Sequence, residues 1–143
     1  MQIPAPKPAM VIRYAYLWAD EHNVGREEGS KDRPAAILLA VSAGERTEVL
    51  ALPITHTPPA HPEEAFELPP AIKARLGLDD EWSWVVLTEV NRFLWPRPDL
   101  RPVSPQKDTC LYGFLPEGVY AGIQRELLKL RNKKRIRIVL RTQ

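Results

Sequence analysis

Two apolar runs joined by a short polar hinge dominate the hydrophobic pattern of the chain: residues 35–41, opened by Arg33 and Pro34, and residues 49–55. Each has the length of a buried strand, and the intervening Ser42, Ala43, Gly44, Glu45 and Arg46 are turn formers. The pattern therefore predicts a β-hairpin at the centre of a small β core. In an antiparallel pair the start of the first strand and the end of the second lie at one edge of the sheet. Arg33 and Thr55 are thus expected to converge.

The flanking pattern fills in the rest. Residues 1–9 carry Pro4, Pro6 and Pro8 and read as an extended, poorly ordered arm. Residues 11–18 are β-branched and aromatic, the mark of a first strand. Residues 20–32 are polar, with Gly25 and Gly29, and form a long loop leading to Arg33, either a lid over a ligand or a mobile surface segment. Beyond the hairpin, Pro58, Pro59 and Pro62 break regular structure; residues 64–68 suggest a short strand and residues 70–76 a short helix closed by Gly77. Residues 82–90 read as one inner strand with a polar exit at 88–92, and the Pro-rich residues 93–108 as an irregular connection. The last helix starts at Pro116, repeats Val119, Ile123, Leu127 and Leu130 on one face, and has Asn132 available as a left-handed cap. Residues 135–141 alternate, predicting a half-buried final strand with Ile136, Ile138 and Leu140 inward and Arg135, Arg137 and Arg141 outward.

Composition sets the scale of this picture. A chain of 143 residues, 44% hydrophobic and 27% charged, is a single globular domain, here residues 10–143 after the arm. No stretch is apolar enough for a membrane span or a signal peptide, and the lone Cys110 has no intrachain partner; the expectation is a soluble cytoplasmic protein. A net charge of +2 hides an asymmetry: residues 125–143 hold eight Lys or Arg against the single acid Glu126, leaving the rest of the chain acidic. Such a block is either a nucleic-acid footprint or a solvated helix end followed by a charge-protected edge strand.

Several chemistries are absent from the pattern. There is no Gly-rich phosphate loop after a strand, no paired Cys spacing, no His-Glu-x-x-His and no Gly-x-Ser-x-Gly. His56 and His61 are separated by prolines that forbid a helical ligand pair, and no third ligand is evident, so no metal site and no cofactor are expected.

The order of motifs is more telling than any one of them. The polar loop with Gly25, Arg26, Glu27, Glu28 and Gly29, Arg33-Pro34 opening an apolar strand, and Leu52-Pro53-Ile54-Thr55 closing the next follow one another. Leu76-Gly77-Leu78 then precede the strand around Trp84, and Tyr112-Gly113-Phe114-Leu115 introduce the final helix. In this order, from about residue 11 to 130, the chain resembles the PemK/MazF family of toxins from bacterial toxin and antitoxin pairs. The resemblance implies a mainly β (α+β) fold, a small SH3-like β-barrel with a C-terminal helix. It also implies a homodimer that cuts single-stranded RNA sequence-selectively as a metal-independent endoribonuclease, leaving 2′,3′-cyclic phosphate ends, and a neutralising antitoxin partner. The family's catalytic Arg and Thr fall on Arg33 and Thr55, and its loop Glu on Glu27, with Glu28 adjacent. The Arg common at the later strand exit falls on Asn91, with Arg92 next to it. The chain departs from the family where Ala9 and Met10 replace a Gly-Asp, in a longer connection at 93–108, and in the added basic strand. That strand can extend a sheet, pair with a second subunit or cover an antitoxin groove.

The chemistry suits these residues. Metal-free cleavage needs a clamp for the crowded phosphorane oxygens, a base for the 2′-hydroxyl and a proton for the leaving oxygen. Arg33 offers a planar, permanently charged fork to phosphate. Thr55 can orient a phosphate oxygen but is too weak to move protons alone. His56 is the proton-transfer candidate, provided the strand has turned by Thr55, because neighbours in a strand point to opposite faces. Each residue also has a plain structural reading: a strand-edge charge, a β-former, a loop histidine. Other functions for the same fold are an inert nucleic-acid-binding module using the cationic strand, or a protein-interaction module.

Overall fold

β-branched and aliphatic residues on both sides of the hairpin strands favour burial of both sheet faces, and the fold supplies it over residues 35–37 and 51–54. The structure, a computed structural model, describes residues 1–15, 32–79, 81–96 and 100–140. The strands are β1 (Met10–Ala15), β2 (Asp32–Ala43), β3 (Arg46–Thr55), β4 (Ala65–Leu68), β5 (Ser83–Val86), β6 (Glu89–Trp95), β7 (Leu111–Phe114) and β8 (Arg137–Leu140). Helix α1 is Pro70–Arg75 and helix α2 is Glu117–Asn132. The sheet runs β4-β5-β3-β2-β1-β7, and β6 joins β3 to β8. Apart from the parallel β6–β8 pair, all of these ladders are antiparallel. This curled half-barrel, mainly β with a C-terminal helix and one further strand, is the architecture the sequence predicts.

Alternation sends successive residues to two cores. Met10, Ile12, Tyr14, Ile37, Phe93 and Trp95 share one, enclosed by the curl; Val11, Ala36, Leu52, Ile54, Ile123 and Leu130 share the other, beneath the helices. The β2–β3 register is interrupted between Ile37 and Leu39, and there the Tyr120 hydroxyl of α2 donates to the Leu38 carbonyl at 2.6 Å. The bulge increases the twist of β2, and the helix is fixed at that point.

Several expectations are corrected. The single strand read over residues 82–90 is two, β5 and β6, broken at Leu87 and Thr88. Both lie along the same edge of β3, with a register slip between them that lets the sheet curl. The break is held: the Leu87 N–H donates to the Glu64 carbonyl, and the Thr88 carbonyl accepts the Arg137 N–H. Residues 93–95, assigned to an irregular connection, complete β6, because buried Phe93 and Trp95 outweigh the prolines after them. Residues 111–114 form β7 against β1 and not merely a lead-in to the helix. Asn132 lies inside α2, and the left-handed residue after it is Lys134, φ 56°.

The final strand is turned over relative to its predicted face. Val139 is buried opposite buried Asn91 of β6, while Ile138 is 60% and Leu140 52% exposed. Parallel pairing with β6 selects Val139, and a period of two then forces its neighbours outward. With Leu39, Val41 and Leu128, also exposed, they leave an apolar surface beside a groove of about 510 Å³ between α2 and the sheet.

The amino-terminal arm is tied to the body at several points. The Gln2 N–H donates to the Asp108 carbonyl, the Trp95 indole donates to the Pro4 carbonyl at 3.0 Å, and Ala9 turns the chain into β1 with φ 74°. No helix among the described residues is long and apolar enough to cross a membrane.

Candidate functional site

The hairpin register places its two ends together. Ala35 pairs with Pro53, so two residues back along β2 and two on along β3 Arg33 stands level with Thr55. Both residues line a cleft of about 280 Å³ and an adjoining one of about 390 Å³, forming the wall common to the two. Arg33 is half-buried.

Thr55 ends β3 with a side-chain turn, its Oγ1 accepting the Thr57 N–H at 3.1 Å. That bond occupies a lone pair and leaves the hydroxyl proton free to be donated elsewhere. The turn also resolves the alternation problem, since the chain has left the strand by His56, and His56 lines the first cleft together with Arg33 and Thr55.

The opposite wall comes from α1 and the turn after it. Pro70 starts the helix, and Gly77 ends it in the left-handed conformation, φ 69°, which only glycine adopts without strain. The chain thereby doubles back and carries Asp79 and Glu81 toward the hairpin end. Lys73 Nζ lies 2.5 Å from Asp79 Oδ1 and also donates to the Glu81 carbonyl. Asp79 Oδ1 accepts the Glu81 N–H at 3.1 Å, and Asp79 Oδ2 lies 2.8 Å from His56 Nε2. Partial burial, the largest single influence, raises the Asp79 pKa, but the Lys73 ammonium, the Glu81 amide and His56 together bring it below its ordinary value.

Lys73, Asp79 and Glu81 are not among the site residues the sequence suggests, where residues 79–81 read only as a polar turn. Their partners lie across the fold, and the only local signal is the glycine stop that returns the chain. His56, Asp79 and Glu81 set three donor atoms within 4.8 Å of one another, a spacing open to a cation. The Lys73 ammonium on the same Asp79 carboxylate opposes one.

The remaining expected site residues lie elsewhere. Asn91 is buried in β6 between β3 and β8, and neither it nor Arg92 lines either cleft. Exposed Arg92 pairs with Glu48, Nε to Oε1 at 3.0 Å, on the β3–β6 ladder. Glu27 and Glu28 lie outside the described residues. Cys110 is buried in the core, and desolvation pushes its thiol pKa up, the opposite of an activated nucleophile.

Within the basic C-terminal block, Arg135 is committed to structure: its guanidinium reaches Glu64 at 2.5 Å and Glu63 at 3.2 Å. These hydrogen bonds raise its pKa and lower that of Glu63, where the backbone hydrogen bond contributes most. Lys133, Lys134 and Arg137 are exposed.

Comparison of the chain with protein-family models, with curated proteins and with solved structures gave no match.

Proposed function

We propose that this chain is a growth-inhibiting toxin of the PemK/MazF kind, built on a small SH3-like barrel and acting as a metal-independent, sequence-selective endoribonuclease on single-stranded RNA. Its further proposed partners are a second copy of itself and a neutralising antitoxin. The observation that supports this reading is the meeting of Arg33 and Thr55 on the wall shared by two clefts, with His56 in the same cavity.

In this account the RNA backbone lies across that wall. Arg33 takes two non-bridging phosphate oxygens and gains most as charge accumulates in the phosphorane, so its contribution falls on the transition state. The Thr55 hydroxyl, already accepting from Thr57, donates to one of the same two non-bridging oxygens and fixes the phosphate for in-line attack by the 2′-oxygen. The products are a 2′,3′-cyclic phosphate and a 5′-hydroxyl.

The test is incubation of the full chain with long single-stranded RNA in excess chelator. Arg33→Ala is expected to lower kcat about 10²–10³-fold. Thr55→Ala is expected to lower it about ten- to a hundredfold, the effect of one hydrogen bond to a charged group. Cleavage that both variants retain would remove the assignment.

The exposed Lys133, Lys134 and Arg137 favour a second reading, an inert nucleic-acid-binding module. It expects steeply salt-dependent RNA binding, weakened by changing those cations, with no cleavage by the parent.

A further inference from the structure

Lys73, Asp79 and His56 form a line of contacts from the buried side of the cleft to its open side. The Lys73 side chain is 2% exposed, whereas those of Asp79 and His56 are 46% and 52% exposed. A buried ammonium persists only with partners, and Lys73 has two, the Asp79 carboxylate and the Glu81 carbonyl. Asp79 in turn is held by three donors: Lys73 and the Glu81 N–H on Oδ1, and His56 on Oδ2. A carboxylate so fixed dictates the orientation of a half-exposed imidazole. With Oδ2 accepting from Nε2, the proton of the neutral ring sits on Nε2 and the lone pair on Nδ1.

We propose that Asp79, clamped by Lys73, is the positioning residue that sets His56 as the base of this cleft, taking the 2′-hydroxyl proton on Nδ1; the inference rests on the RNA-cleaving reading above. As the O2′–H proton passes to Nδ1, the freed electron pair on O2′ forms the bond to phosphorus and the P–O5′ bond breaks. The O5′ electron pair takes a proton from solvent water, and the imidazolium returns its proton to the hydroxide so formed. The groups facing the ring offset the positive charge it gains when Nδ1 takes the proton. Asp79 and Glu81 flank it from the turn, Glu81 Oε2 at 3.6 Å from Nδ1, too long for a hydrogen bond but close enough to offset the new charge. Lys73 of α1 has its ammonium on Asp79, while Arg33 of β2 and Tyr112 of β7 line the same cleft.

A purely structural clasp, closing the turn between α1 and β5, would show the same distances, so the test needs readouts that a clasp would not move. Cleavage of single-stranded RNA in chelator is followed from about pH 5 to 9 for the parent, Arg33→Ala, His56→Ala and Asp79→Asn, alongside nitrogen NMR of the His56 ring in the parent. Expected are a fall in kcat of about 10²–10⁴-fold with little change in KM for His56→Ala and Asp79→Asn, and loss of the acid limb of the profile in His56→Ala. Added imidazole is expected to restore activity to His56→Ala and not to Asp79→Asn, and the neutral parent ring to carry its proton on Nε2.

Cleavage by the parent that Arg33→Ala abolishes, while His56→Ala or Asp79→Asn keeps the parental kcat and acid limb, overturns this inference and spares the ribonuclease reading. No cleavage by the parent, or cleavage undiminished in Arg33→Ala, overturns both. Should Asp79→Asn fail to fold, the NMR measurement decides: a neutral parent ring protonated on Nδ1 removes the positioning role.

Discussion

An ammonium as buried as that of Lys73 makes Asp79 a charge the folded state needs. The net effect of its surroundings is to lower the Asp79 pKa, so the carboxylate is preferred in the folded state over the unfolded one. The stability it contributes is therefore complete above the ordinary carboxylate pKa of about 3.9 and disappears as pH falls through the lower folded value. Asp79→Asn is accordingly expected to be less stable than the parent at neutral pH, with the gap narrowing as pH drops below that ordinary range. Urea unfolding at stepped pH checks this, and a gap constant down to about pH 2 would contradict it. At the same scale, Arg33 and Thr55 were legible in the sequence because hairpin register alone places them level. Lys73 and Asp79 were not, because their meeting with His56 depends on how α1 folds back over the hairpin end.

Among the elements, α2 carries the clearest local instructions and keeps them: Ile123 and Leu130, two of the four residues of its predicted face, are fully buried. Its orientation depends on a contact that no periodicity reveals, the Tyr120 hydroxyl on the Leu38 carbonyl at the β2 bulge. Desolvation raises the Tyr120 pKa, which keeps the phenol a donor throughout the neutral range. Tyr120→Phe is expected to cost about 0.5–1.5 kcal/mol, measurable as a lower urea midpoint at unchanged slope. An unchanged midpoint would mean that the bulge, not this bond, seats the helix. The strands were legible in proportion to how local their burial is. Residues 82–90 hold no turn former such as Gly or Pro to mark an end, and only pairing along a curling β3 splits them into β5 and β6. The β8 pattern offers Ile138 and Leu140 or Val139 as the inward face, and the choice belongs to the partner strand β6.

At the scale of the whole molecule, the mainly β fold with its helix was legible from the apolar runs, the turn residues and the last amphipathic segment, whereas its barrel-like curl was implied only by the family resemblance. The two-sided burial of its sheet follows from continuous apolar runs that a one-faced sheet would waste. The curl brings the hairpin end, the turn after α1 and β7 around one cavity with a cationic wall at Arg33 and a histidine held by acids. The central claim, that this cavity turns the 2′-oxygen of RNA onto its neighbouring phosphate, is tested most directly by removing that oxygen. An oligoribonucleotide cut by the protein in chelator would be remade with a single 2′-deoxy residue on the 5′ side of the mapped linkage. Cyclic phosphate ends are expected from the parent oligonucleotide, and no cleavage at the substituted linkage. Cleavage there at the original rate, or products ending in a 3′-hydroxyl, would contradict it.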